Sequence, residues 1–212
     1  MRLIGMLDSP YVRRVAISLE HLGVAFEHDA VSVFSAFERF QNINPVVKAP
    51  SLVCDNGDVL MDSSLILQFI EATMTGGASL WSTSPELMQH ETRAVGLALA
   101  ACEKCVQIIY ERTLRPASAQ YEPWIERAKG QLLAACTGLE QEVQKREAAF
   151  LISRSQECIT SAVAWQFIQS MLAAVVPANS FPGLMALSAR MECTPAFLKY
   201  PATGPGIQVN NH

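Results

Sequence analysis

Ser9 stands where a short apolar segment, residues 2–7, gives way to a helix opened by Pro10. A helix N-terminus presents unpaired backbone N–H groups and the positive end of the helix dipole, so it favours negative charge. A hydroxyl there can donate to a bound thiolate and lower the thiol's pKa. Ser at this position is also an ordinary N-cap, and taken alone that is its commoner use. A second segment, Val47-Lys48-Ala49-Pro50, runs into a strand. A Pro that opens a strand can follow a cis bond in a tight turn, leaving the N–H and C=O of Ala49 turned out toward an extended peptide ligand. A cis Ala49–Pro50 bond is therefore expected. The third segment is Asp62-Ser63, at the start of another helix. An amino-acid zwitterion needs a carboxylate for its ammonium and N–H or O–H donors for its carboxylate, and Asp-Ser at a helix N-terminus offers both. It too is an ordinary helix cap when read alone.

The elements that must hold these segments follow from periodicity. Residues 2–7 read as a strand. Val12, Val15, Ala16, Leu19 and Leu22 then recur at helical spacing up to Gly23, a C′ residue. Residues 24–31 read as a second strand, which makes a βαβ unit with a parallel pair. Residues 33–43 leave strand and helix open, with a short helix one reading. Ser51–Cys54 and Val59–Met61 form a hairpin around Asp55-Asn56-Gly57-Asp58, since Asn-Gly accepts positive φ at both central positions. The next helix is expected to turn Leu65, Ile66, Phe69 and Ile70 inward. Thr75-Gly76-Gly77-Ala78-Ser79 has linker composition. Beyond it no strand signal appears. Helices are expected over 86–113, 123–146, 156–173, 183–191 and 195–199. The fold class is thus α/β plus all-α: a domain over 1–75, an all-helical domain over 86–201 and a frayed tail over 202–212. The helix 156–173 is apolar almost all round, as a helix at the centre of a bundle is.

Composition narrows the function classes. The 212 residues carry a net charge of −4, and the basic residues form no tract, which speaks against nucleic acid or an anionic lipid surface as partner. The apolar run at the N-terminus is too short for a secretory leader, and the stretch 159–176 is interrupted by polar residues, so a cytoplasmic protein without membrane contact is expected. The six cysteines fall irregularly, mostly inside helices, and read as reduced thiols used for packing. Cys102 and Cys105 form a Cys-x-x-Cys pair mid-helix without a second pair, so no metal site is expected.

Together, Ser9-Pro10-Tyr11-Val12-Arg13, Asn44-Pro45 with Lys48-Ala49-Pro50-Ser51-Leu52, and Asp62-Ser63 with Ile66 and Ile70-Glu71 resemble the cytosolic glutathione S-transferase superfamily. The resemblance continues through Arg115-Pro116, Ala162–Phe167 and Phe181–Leu184, where bacterial members have similar segments. It implies a thioredoxin-like first domain and glutathione as co-substrate. Ser9 would be the catalytic residue beside the sulfur. Ala49 would pair through its backbone with the cysteinyl part, beside a cis Pro50. Asp62 and Ser63 would hold the γ-glutamyl end, with Lys48 a contact for the glycyl carboxylate. The implied activity is attack of the glutathione thiolate on a small electrophile, bound between loops of the first domain and the helix 86–113. Glutathione-dependent isomerisation and non-catalytic ligand binding stay open as alternatives. Serine rather than cysteine at position 9 argues against mixed-disulfide chemistry, which needs a protein thiolate. A homodimer is also implied, and small residues on the helix 86–113 (Ala94, Gly96, Ala98, Ala100, Ala101) would permit close packing against a second copy. Two positions depart from the pattern. Ala49 replaces the usual Val, where only the backbone is used. Cys158 replaces the acid of a capping box begun by Ser155, at an expected cost of about 0.5–1 kcal/mol.

Overall fold

Successive strand residues face opposite sides of a sheet, and Leu3 and Ile4 use both sides. Leu3 packs with Val12, Val15, Ala16 and Leu19 and with Ile66, Leu67 and Ile70. Ile4 packs with Val31 and Phe40 on the other face. These contacts come from a computed structural model, which describes residues 1–152, 154–204 and 207, without the side chains of 149, 151 and 152. The chain divides into two units: Met1–Leu80 joined by the residues from Pro195 on, and Trp81–Thr194.

The first unit runs β1 (Arg2–Ile4), α1 (Pro10–His21), β2 (Glu27–Asp29), α2 (Phe37–Ile43), β3 (Ser51–Val53), β4 (Val59–Met61) and α3 (Ser63–Thr73). The sheet order is β2-β1-β3-β4, with β1 parallel to β2 and antiparallel to β3, and β3 antiparallel to β4. This is the α/β half of the expected fold class. Helix α2 resolves the ambiguous stretch 33–43, and the strands are shorter than their apolar runs.

Two local expectations are corrected. In the hairpin only Gly57 has positive φ, at 90°, and Asn56 does not. Gly57 N–H donates to the Cys54 carbonyl and Cys54 N–H to the Asp58 carbonyl, so the loop has three residues with glycine last, a turn that needs only one left-handed position. In α3 the inward residues are Ser63, Ile66, Leu67 and Ile70, while Leu65 is 60% and Phe69 38% exposed. Residues 66, 67 and 70 lie on one helical face; 65 and 69 start the next one round.

Helix α9 (Pro195–Lys199) packs on α1 in the first unit, where the sequence reading ran one helical domain through 201. The reason is Arg13. The residue is 1% exposed; Nε donates to the Tyr200 carbonyl at 2.8 Å and the guanidinium lies 5.1 Å from the Phe197 ring centre. Tyr200 stacks on Phe26 and, with Lys199, bonds Glu20. Of the tail, residues 205, 206 and 208–212 lie outside the described residues. Thr203 N–H closes a tight turn on the Pro201 carbonyl.

The second unit contains α4 (Pro85–Thr113), α5 (Glu122–Lys145), α6 (Glu147–Ile152), α7 (Gln156–Leu172) and α8 (Pro182–Glu192). Helix α4 packs along α5 and α7, and α7 against α8. As its apolar circumference requires, α7 is buried without a break from Gln156 to Trp165. The Ser155 hydroxyl accepts from Cys158 N–H at 3.4 Å, and the Cys158 thiol turns to the Phe150 carbonyl. The neighbouring Glu157 pairs with Arg146 at 2.7 Å. Of the small residues on α4, Ala94, Ala98 and Ala101 are fully buried within this unit, where α4 packs on α5 and α7, while Gly96 is exposed and Ala100 half-buried. Cys102, Cys105 and Cys136 are buried, and desolvation pushes the Cys105 and Cys136 thiols up to about 12. Among the described residues no helix is long and apolar enough to cross a membrane.

Candidate active site

The strand register brings the three chemistry-bearing segments to one end of the sheet. Ile4, the last residue of β1, pairs with Ser51, the first of β3, which pairs with Met61, the last of β4. The loop that follows β1 leads to Ser9, Pro50 precedes β3, and Asp62 follows β4. Residues 9, 49–50 and 62–63 therefore emerge beside one another, although more than fifty positions separate the first from the last.

Ser9 occupies the N-cap position of α1 in extended conformation, and its side chain makes no capping hydrogen bond. The ordinary use of serine at this position is thus not exercised, and its hydroxyl stays available at a helix N-terminus. Ala49–Pro50 is cis, as the motif leads one to expect. The loop is braced from below by Asn44, itself buried. Its Nδ2 donates to Ser51 Oγ at 2.8 Å, its Oδ1 accepts from Val46 N–H, and Ser51 Oγ donates to the Lys48 carbonyl at 2.7 Å. Gly5 lets the loop approach α1. It has φ 137°, and a Cβ there would lie 2.6 Å from Val12 and 3.2 Å from Ala49. The Gly5 carbonyl accepts from His28 Nε2 at 2.8 Å.

Asp62 has φ 72° and ψ 124°, a conformation that costs a non-glycine residue about 1–3 kcal/mol and tends to occur at functional sites. Its Oδ1 accepts from Ser64 N–H at 2.9 Å, capping α3. Lys48 Nζ lies 3.9 Å from Asp62 Oδ2; both are about half exposed, so the pair adds little stability. Ser63 is buried beside Arg14, whose Nη1 donates to Ser63 Oγ at 3.2 Å and Ser64 Oγ at 3.0 Å.

Arg14, Asn44 and Gly5 are supporting residues whose parts the sequence reading did not assign. For Arg14 a signal existed. Two arginines inside the apolar pattern Val12–Leu19 must either face water or be paired, and α1 is buried at every position from Val12 to Leu19.

Residues 3–76 match the family model described as glutathione S-transferase, N-terminal domain. A glutathione S-transferase of Methylobacterium radiotolerans, solved with glutathione sulfonate, superposes with a TM-score of 0.88 over 98% of this chain and 97% of that one, at 23% identity. Residues 3–76 belong to the glutathione S-transferase N-terminal domain family, and the chain as a whole shares the fold of that solved structure. A superfamily member from Pseudomonas fluorescens, solved with bound glutathione, gives a TM-score of 0.79 at 25% identity over 94% of this chain and 97% of its own. Among curated relatives, the uncharacterised GST-like protein YibF of Escherichia coli is 34% identical over 80 residues, 38% of this chain and 40% of its own length. Glutathione S-transferase U3 of Arabidopsis thaliana is 34% identical over 90 residues, 42% of this chain and 37% of its own. The chain thus spans about two fifths of the length of these curated relatives.

Proposed function

We propose that the chain is a glutathione transferase that binds glutathione on the first domain, residues 1–75, and activates its thiol through Ser9. The observation that carries this reading is the Ser9 hydroxyl, set at the N-terminus of α1 and not used as a cap. Glutathione sulfonate and glutathione bound to two solved structures of the same fold support it. Asp62, with Ser63, meets the ammonium and carboxylate of the γ-glutamyl end. The Ala49 backbone beside Pro50 pairs with the cysteinyl part. Lys48, half exposed beside Asp62, meets the glycyl carboxylate.

In the reaction, the enzyme holds the tripeptide by its ends and leaves the sulfur at Ser9. The hydroxyl donates to the thiolate, which attacks an electrophilic carbon; the carbon–sulfur bond forms as the leaving group departs with its electron pair. Retention on immobilised glutathione together with turnover of a general aryl halide tests the reading. Retention without turnover of a broad electrophile panel would establish a non-catalytic binder instead.

The protein acts as a homodimer in this reading. Support comes from Leu65 and Phe69, apolar side chains left exposed on α3. Light scattering is expected to give twice the 23.2 kDa chain mass; the chain mass itself at micromolar concentration would refute the dimer.

A further inference from the structure

The parallel ladder between β1 and β2 stops inside Gly5. The Gly5 N–H still donates to the Asp29 carbonyl at 3.1 Å. One step further, a parallel ladder would bring Val31 N–H to the Gly5 carbonyl. Val31 N–H instead turns back to the Asp29 carbonyl at 2.9 Å. A side chain takes its place: His28 Nε2 donates to the Gly5 carbonyl at 2.8 Å. A carbonyl only accepts, so Nε2 carries the proton, and both the imidazolium and that neutral tautomer donate.

The consequence lies in the residues that follow. Glycine enters positive φ as readily as negative, so nothing in Gly5 itself, at φ 137°, fixes the plane of the Gly5–Met6 peptide. The bond from His28 does. Met6 then begins the tight turn that ends at Ser9, whose N–H donates to the Met6 carbonyl at 3.2 Å. Leu7 is buried in the core and pins the middle of that turn. His28 therefore sets the tilt at which the turn leaves the sheet, and the loop does not depend on it for its place. Gly5 also lies against Val12 and Ala49, so the same peptide plane spaces the turn from the Ala49 backbone.

We propose that His28 is a positioning residue for the thiol chemistry: by holding the Gly5 carbonyl it aims the Ser9 hydroxyl at the glutathione sulfur. The inference rests on the reading of Ser9 above. A hydrogen bond weakens steeply as its angle closes, so a tilted turn gives up part of the bond to the thiolate even with Ser9 in place.

The test is ultraviolet titration of the thiolate in the binary complex of wild type, His28→Phe, Ser9→Ala and the double variant. His28→Phe keeps a ring and removes the donor. Its midpoint should rise by about half a unit to one unit, which at neutral pH is about a three- to tenfold loss of thiolate. KM for glutathione should hardly move while kcat falls, because the peptide's ends are bound elsewhere. His28→Gln, whose amide can donate from where Nε2 lies, should restore the wild-type midpoint. Added to Ser9→Ala, His28→Phe should change nothing further, since the hydroxyl it aims is gone. Should His28→Phe fail to fold, His28→Asn, whose shorter amide stops short of the Gly5 carbonyl, takes its place. An unchanged midpoint, no rescue by His28→Gln, or an equal rise in the Ser9→Ala background would overturn the proposal and leave the part played by Ser9 standing. A Ser9→Ala midpoint equal to that of wild type would overturn both.

Discussion

Replacing Ser9 by Ala removes one hydroxyl donor from the N-terminus of α1 and, because that hydroxyl caps nothing, should leave the fold intact. The magnitude follows from the bond lost. A hydrogen bond to a charged group is worth about 1.5–3 kcal/mol, which is roughly one to two pKa units on the thiol it stabilises. A free thiol titrates near ~8.5, so about 3% is ionised at neutral pH; lowered to ~7, about half is. The gain in thiolate is about fifteenfold, less what a more acidic thiol loses in nucleophilicity, so Ser9→Ala should slow turnover at neutral pH by about three- to fifteenfold. The direct assay is ultraviolet titration of the thiolate in the binary complex. The wild-type midpoint should lie one to two units below that of Ser9→Ala, which should titrate near the free value. Glutathione affinity should barely change, because the peptide's ends are held elsewhere. Activity should return as pH rises past the free thiol's pKa. Equal midpoints in the two proteins would show that another donor, Tyr11 first, holds the sulfur. Activity still lost at high pH would refute the mechanism.

Asp62→Ala with Ser63→Ala should weaken glutathione binding by about 2–4 kcal/mol in calorimetry, two charge-assisted bonds discounted for non-additivity. Arg14→Met should weaken binding by about 1–3 kcal/mol and lower the melting temperature, since the Ser63 and Ser64 hydroxyls lose their buried donor. Asn44→Ala should destabilise the chain by about 1–3 kcal/mol in urea unfolding, because Ser51 Oγ and Val46 N–H lose a partner. With thiols pushed up to about 12, Cys105 and Cys136 should resist alkylation at mildly alkaline pH until the chain unfolds, while exposed Cys193 reacts at once; peptide mass mapping reads the difference.

Much of the fold was legible because it is written in local patterns. Ser9-Pro10, Gly23 and the spacing from Val12 to Leu19 mark α1 by capping and periodicity, which depend on neighbours three and four residues apart. The unbroken apolar run of α7 marks a central helix in the same way. Residue type and order also singled out Ser9, Lys48, Ala49, Pro50, Asp62 and Ser63 as candidates. Tertiary structure decided what depends on residues distant in the chain. The inward face of α3 is set by where α1 lies, and apolar content alone could not tell Leu65 from Leu67. Ala94, Ala98 and Ala101 are told from Gly96 only once α4 packs on α5 and α7, which buries the three alanines and leaves Gly96 exposed. The apolar pattern around Arg13 and Arg14 shows that they must face water or be paired, but not their partners, Tyr200 and Ser63, which come from 187 and 49 residues away. A buried charge is tolerated only where such partners meet it, and sequence spacing carries no record of that meeting.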